Sequence, residues 1–301
     1  MKALRLEFKG GNPFKPEPAG SKILFFEAKE PGATVSGGTW TDAESPKFPD
    51  IEISVDGGST YQHWNCSYDS EQECYVYDIV SLGETGDRVY LRGVNDYLAE
   101  VDYDFQFITE GDLKLGDSVQ SLVDGIVEST TAIDMRYLFS GTTISEVENG
   151  LLPATTLVVK CYEFMFSSTK IKRAPCLPAL TLQEECYGGM FEESDLETPP
   201  ELPATVLAPY CYDSMFLKTK ITQAPDLDAP VLVEGCYCSM FEECSNLSAI
   251  RCLATNPNND STDSWAANVN TEGTFTKKSG VDWSNTYPFS GIPANWTVTE
   301  V

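Results

Sequence analysis

Cys161-Tyr-Glu-Phe-Met-Phe166 is the stretch that decides how this chain folds, because it comes back three more times. It returns as Cys186-Tyr-Gly-Gly-Met-Phe191, Cys211-Tyr-Asp-Ser-Met-Phe216 and Cys236-Tyr-Cys-Ser-Met-Phe241, at a spacing of 25 residues each time. An aliphatic residue follows each copy at Ile171, Leu196, Ile221 and, one residue late, Leu247. Proline comes next at Pro175, Pro200 and Pro225, then leucine at Leu177, Leu202 and Leu227. A partial unit precedes the set, with Tyr137, Phe139, Ile144 and Leu152-Pro153. One unit of this length cannot bury its own apolar face, so a fixed period in the twenties predicts a solenoid whose units share a core. The predicted core comprises Cys161, Met165, Phe166, Cys186, Met190, Phe191, Cys211, Met215, Phe216, Cys236, Met240 and Phe241. Offsets of Cys, Tyr, Met and Phe within each unit suit a short helical turn. The later aliphatic residue suits a short extended segment, closed by a proline that cannot donate to a ladder.

Around this repeat the chain divides further. Met1–Phe8 alternates apolar and polar residues as a strand does, and Gly10–Gly20 is a Gly/Pro linker. The expected organisation is an N-terminal strand and linker over 1–20, acting as an anchor, and a β-sandwich-like domain over 21–110. A connector over 111–133, repeats over 134–253 and a C-terminal cap over 254–301 complete it. Strand signals in the second segment include Ile23–Phe26, Ile51–Val55 and Arg88–Leu91, with Asp56-Gly-Gly-Ser59 as a hairpin turn. Asp112–Ile126 suits one short helix leading into the repeats. The tail supplies Trp265, Trp283 and Trp296, bulk enough to close the last unit.

Composition narrows the function. Acidic residues outnumber basic ones 46 to 20, a formal charge of −26, which repels nucleic acid and anionic membranes. No apolar run long enough to span a bilayer occurs, and no secretory signal is visible at Met1–Lys15. His63 is the single histidine, so a Ser-His-Asp or Cys-His arrangement would have to use it, and it falls in a strand after the hairpin. Cys236, Cys238 and Cys244 lack the spacing of a zinc site. Cys66 and Cys74 either pair in an oxidising setting or remain thiols, and Asn256–Asp263 is either a solvated loop or a calcium loop. Neither a cofactor nor a metal is expected, and the chain is expected not to be an enzyme.

The repeat also places charges. Lys170, Asp195 and Lys220 share one repeat position, and Lys172, Glu197 and Thr222 share another. Opposite charges would then stack from unit to unit, either as a register-fixing ladder or as a ligand-binding strip on the concave face. The column Tyr162, Tyr187, Tyr212 and Tyr237 is either a sugar-stacking surface or, the expected reading, a half-buried stripe with its hydroxyls outside.

These motifs resemble the BspA-like leucine-rich repeats of surface proteins of gut anaerobes and their phages. The resemblance rests on Cys161–Phe166, Ala174-Pro-Cys-Leu-Pro-Ala179 and Glu201-Leu-Pro-Ala-Thr-Val-Leu207. It extends to Ser54-Val-Asp-Gly-Gly-Ser-Thr-Tyr61, Gly273–Trp283 and Gly291–Val298 in the flanks. The second cysteine of the usual repeat survives only in Phe241-Glu-Glu-Cys-Ser-Asn-Leu247. The resemblance implies an α+β protein, with an antiparallel β-sandwich-like domain, a short leucine-rich-repeat solenoid and a cap. It implies display on a virion or a bacterial cell surface in many copies or as a homo-oligomer. Expected partners are other virion subunits, through the N-terminal segment, and a host glycan or surface protein, the alternative being a purely architectural virion protein with no host ligand; nucleic acid and membrane insertion are not expected.

Overall fold

The computed structural model describes residues 5–7, 22–41, 46–100, 103–125, 129–283 and 290–301. Two sheets form a head. The first runs Arg5–Glu7, Ile79–Leu82, Ala33–Thr41, Tyr103–Glu110, Ala99–Glu100, with Cys74–Tyr77 also on Ala33–Thr41 and Cys66–Asp69 beyond it. The second runs Ile144–Val147, Leu113–Gly116, Phe25–Ala28, Arg88–Arg92, Glu52–Ser54, Gln62–His63. Pairing is antiparallel except where Arg5–Glu7 meets Ile79–Leu82 and where Leu113–Gly116 meets Ile144–Val147. Alternation puts Phe105 and Phe107 of the first sheet and Phe26 of the second inside. Phe26 meets Phe107 edge-on at 4.9 Å, and Trp64 fills the space beside them.

The hairpin at Asp56 forms for a local reason. Its carboxylate accepts the Ser59 and Thr60 N–H groups and the Ser54 and Thr60 hydroxyls, while Glu52–Ser54 pairs with Gln62–His63. The segment expected to be a helix over 112–126 differs. It gives the strand Leu113–Gly116 and a single helical turn, Ser121–Asp124. The apolar alternation of Leu113 and Leu115 is satisfied by the sheet, where both are fully buried.

The expected α+β class with a leucine-rich-repeat solenoid is overturned. The protein is nearly all β, 27% strand and 2% helix, in three sheets, and no solenoid is detected among the described residues. The physical reason lies in the repeated hexapeptides. Lys160, Phe164 and Ser168 have φ of 60, 52 and 54°, and the same left-handed bend recurs at Glu185, Gly189 and Glu193, at Tyr210, Ser214 and Lys218, and at Gly235, Ser239 and Glu243. A left-handed residue at every fourth position forbids a helical turn. Instead the N–H groups of Cys161, Glu163, Met165 and Ser167 fold back on the carbonyls of Val158, Lys160, Tyr162 and Phe164. Those of Lys160, Tyr162, Phe164, Phe166 and Ser168 donate forward to Glu184, Cys186, Gly188, Met190 and Glu192. Every amide from Lys160 to Ser168 is thus used, alternately in the following copy and locally.

The extended part of each copy is shorter than expected. Only isolated parallel bridges form there, Arg173–Thr198, Thr181–Val206 and Leu227–Cys252. Prolines at 175, 200, 225 and elsewhere remove the donors a longer ladder would need. A parallel sheet of Ala249–Cys252, Thr274–Lys277 and Thr297–Glu300 closes the chain.

The copies lie in parallel layers on a core continuous with the head. Phe107 stacks on Phe139 at 5.4 Å, and the column continues through Phe166, Phe191, Phe216 and Phe241 at 5.4, 5.9, 5.9 and 5.7 Å. Trp265 and Trp283 end it, stacked at 5.5 Å. Cys161, Met165, Cys186, Met190, Cys211, Met215, Cys236 and Met240 are all fully buried beside this column. The tyrosine column differs from expectation. Tyr162, Tyr187, Tyr212 and Tyr237 stack at 5.9–6.0 Å and are buried rather than half-buried, and the Tyr162 hydroxyl is itself buried with no hydrogen-bond partner among the described residues.

Candidate functional site

The charged positions of adjacent layers come together on one exposed face. Backbone bonds set their register: Asp195 N–H donates to the Thr169 carbonyl at 3.0 Å, Glu197 N–H to Lys172 at 2.9 Å, and Lys220 N–H to Leu196 at 2.9 Å. The side chains then meet across layers. Lys172 Nζ lies 3.4 Å from Glu197 Oε1, and Lys220 Nζ lies 2.5 Å from Asp195 Oδ1. Thr222 is exposed next to them, its carbonyl accepting the Ser248 N–H. Lys170 is exposed and has no ion-pair partner among the described residues. Ion pairs this open to water add little stability, so they leave the face adaptable.

A groove of about 510 Å³ continues from this strip. It runs between the corner 197–203 of one layer and 222–228 of the next, so Glu197 and Thr222 belong to both strip and groove. The prolines Pro199, Pro200, Pro203 and Pro225 hold its walls open, because each fixes its own φ and lacks a donor to close the gap. Leu202 and Ala224 form an apolar floor, and Glu201, Asp226 and Asp228 join Glu197 around the rim. Arg251, in the strand Ala249–Cys252, pairs with Asp228 and reaches Asp226 at 3.4 Å. With Lys172 on Glu197, the carboxylate of Glu201 is the rim charge that no cation offsets among the described residues.

The remaining sequence candidates are placed as follows. His63 is exposed, its Nδ1 3.9 Å from Asp50 Oδ1. Cys66 and Cys74 are free thiols; on adjacent strands Cys66 faces Tyr77 and Cys74 faces Asp69, so register keeps them apart. Burial pushes the Cys161 and Cys236 thiols up to about 12 and Cys244 to about 11, which makes them apolar filler rather than nucleophiles. Several oxygens of the loop 256–263 are turned to its own fold. Asn256 brackets the Leu232 backbone at 2.8 and 3.0 Å, and Asn258 Oδ1 accepts the Ser261 N–H. No group of three or more His, Cys, Asp or Glu side chains is arranged to hold a metal ion among the described residues. No helix there is long and apolar enough to cross a membrane.

At the other end, Arg5–Glu7 is occupied in its own sheet beside Ile79–Leu82. The Gly/Pro linker of 10–20 lies outside the described residues. The groove escaped sequence reasoning, because it depends on how successive proline corners diverge. The spacing of Pro200 and Pro225 at equivalent positions was the available signal. No family model, curated protein or solved structure matches this chain.

Proposed function

We propose that this chain is a non-catalytic binding protein displayed on a virion surface, and that it grips a host-surface molecule or a neighbouring subunit through the strip and groove of its layered region. The observation that carries this reading is the joining of the two features. Lys170, Lys172, Asp195, Glu197, Lys220 and Thr222 share a face with a groove of about 510 Å³ that has an apolar floor and a carboxylate rim. Such a combination suits binding, in which a few polar groups orient a partner over apolar contact. The layers behind it are held by stacked rings and inter-layer hydrogen bonds, so the face is presented rigidly and a partner does not have to order it. The net charge of −26 keeps many copies apart on one surface.

Two measurements test it. Purified particles from a culture carrying the gene are expected to contain the chain by mass spectrometry; its absence from them overturns virion display. Replacing Glu201→Lys together with Asp226→Lys reverses the rim charge without touching the core. Binding of the labelled chain to host cells or to stripped particles is then expected to fall about tenfold or more, roughly 1.4 kcal/mol, at unchanged melting temperature. Undiminished binding by a folded double variant would remove the groove from the function.

A further inference from the structure

Trp40 stands apart from the other tryptophans. Trp64, Trp265, Trp283 and Trp296 are buried, whereas Trp40 is 39% exposed, near the end of the nine-residue strand Ala33–Thr41. An indole left in water on a regular strand is a large apolar surface without a structural use.

Its surroundings explain how it lies. Phe105 and Phe107 face the core, so Asp104, Gln106 and Ile108 of the same strand face outward. Register sets Trp40 opposite Asp104, Gly38 opposite Gln106, and Ser36 opposite Ile108. A Cβ built on Gly38 would meet Trp40 Cη2 at 2.9 Å, Trp40 Cζ3 at 3.0 Å and Ile108 Cδ1 at 3.2 Å. The far edge of the indole therefore lies down along the strand, over the place where any other residue would carry a side chain. Glycine inside a strand weakens it, and here its use is close approach: Gly38 clears the floor for a recumbent indole with Ile108 at its rim.

The polar part lies alongside. Asp104 has one carboxylate oxygen, Oδ1, withdrawn from water with no hydrogen-bond donor among the described residues. Asp104 as a whole stays partly exposed, so its other oxygen, Oδ2, is the acceptor that a ligand hydroxyl can reach. Burial raises the Asp104 carboxyl above its usual range, while Arg136 opposes the shift. Arg136 is itself held by Asp134, with Nε at 3.0 and 3.1 Å from the two carboxylate oxygens, so it neutralises the neighbourhood without filling the acceptor.

We propose that Trp40, Asp104 and Gln106 form a sugar-binding platform, on which a pyranose ring of a neutral glycan stacks its C–H face while its hydroxyls donate to Asp104 and bond to Gln106. An exposed π-face accepts either a sugar ring or a nucleobase. The net charge of −26, with a carboxylate at the platform itself, rejects the phosphates that accompany a base and leaves the uncharged sugar. The platform belongs to the head sheet and does not rest on the groove of the layered region.

The test uses the full chain and four probes: cellohexaose, maltohexaose, xylohexaose and mannohexaose. Since Trp40 is the exposed tryptophan, saturable binding of at least one probe is expected to shield it from acrylamide quenching in the unaltered protein. By calorimetry Trp40→Ala is expected to lose about tenfold or more in affinity, and Asp104→Asn a smaller factor. Gly38→Val, which would lift the indole off the sheet, is expected to weaken binding while leaving Asp104 and Gln106 in place. The reversed groove variant Glu201→Lys/Asp226→Lys should bind the sugar normally, which separates failure of the platform from failure of the groove. Absence of binding by every probe up to about 10 mM overturns the proposal. So does a bound probe that leaves quenching unchanged, or undiminished binding by Trp40→Ala.

Discussion

The head and the layered region share one aromatic core but satisfy their backbones by opposite means. In the head, long-range antiparallel ladders such as Ala33–Thr41 with Tyr103–Glu110 take up the amides, and side chains alternate with a period of two residues. In the bends of the layers, tight turns take about half the amides and the next copy takes the rest, and side chains repeat with the length of the unit. Either solution leaves few orphan groups. The difference lies in what a substitution disturbs. A head residue has varied neighbours that can readjust around it. A layer residue has copies of itself above and below, so a loss is felt on two faces at once.

The largest effect follows from that. Phe191 lies between Phe166 and Phe216 at 5.9 Å on each side. Phe191→Ala leaves both partners facing a void and is expected to cost about 3–5 kcal/mol by denaturant unfolding. A loss below about 0.5 kcal/mol would contradict columnar packing. Because Phe107 of the head stacks on Phe139 of the first layer, hydrogen exchange should rise in both regions together. Faster exchange confined to the layers would show that the shared core does not couple them.

A smaller effect compares two glycines. A Cβ on Gly116 of the head would sit 2.1 Å from the ring of Phe25, which is itself buried beneath the Arg88 guanidinium at 4.0 Å. A Cβ on Gly235 would sit 2.2 Å from the ring of Tyr210, which is half-exposed and can swing aside. Gly116→Ala is therefore expected to cost about 2–3 kcal/mol through overpacking. Gly235→Ala is expected to cost about 1–2 kcal/mol, set by its φ of 57° rather than by the ring. Melting curves that reverse this order would place the tighter constraint in the layers.

What the sequence made legible follows the same division. The columns of Cys, Met and Phe could be read from spacing alone, because identical residues stack only if the unit is regular. The opposed charges at Lys172 and Glu197, and at Asp195 and Lys220, were legible for the same reason. The local conformation was not. Lys160, Phe164 and Tyr210 have no preference for left-handed φ, and they adopt it because the following layer accepts their N–H groups. A helical offset in the sequence was therefore the wrong inference from a correct period. In the head, Ile51–Val55 and Arg88–Leu91 announced strands, while Leu113–Gly116 resembled a helix start until the sheet claimed it. Trp40 is not legible as a site from the sequence, because its exposure depends on Gly38, two residues earlier on the same face.

The smallest effect separates the regions by pH. In the head, burial acts against the Asp56 charge, but hydrogen bonds from Thr60, Ser54 and Ser59 outweigh it and hold the carboxyl down at about 2. Its folded value lies below the ordinary 3.8, so its stabilisation is full above that value and is lost as pH falls towards 2. In the layers, burial and the neighbouring Glu185 lift Glu163 to about 7, against the pull of Lys160 and Arg136. Its folded value lies above the ordinary 4.5, so the fold holds this proton more tightly than the unfolded chain does. That contribution is full below about 4.5 and is lost as pH rises towards 7. Glu185 is shifted the other way, chiefly by Lys160 and Glu163 overcoming its burial, and acts only on the acid side. Glu163→Gln keeps the shape without the titration. Its melting temperature is expected to fall less than that of the unaltered chain between pH 5 and pH 7, with the acid limb governed by Asp56 unchanged. Parallel profiles for the two proteins over that interval would show that Glu163 is not held protonated by the layer beneath it.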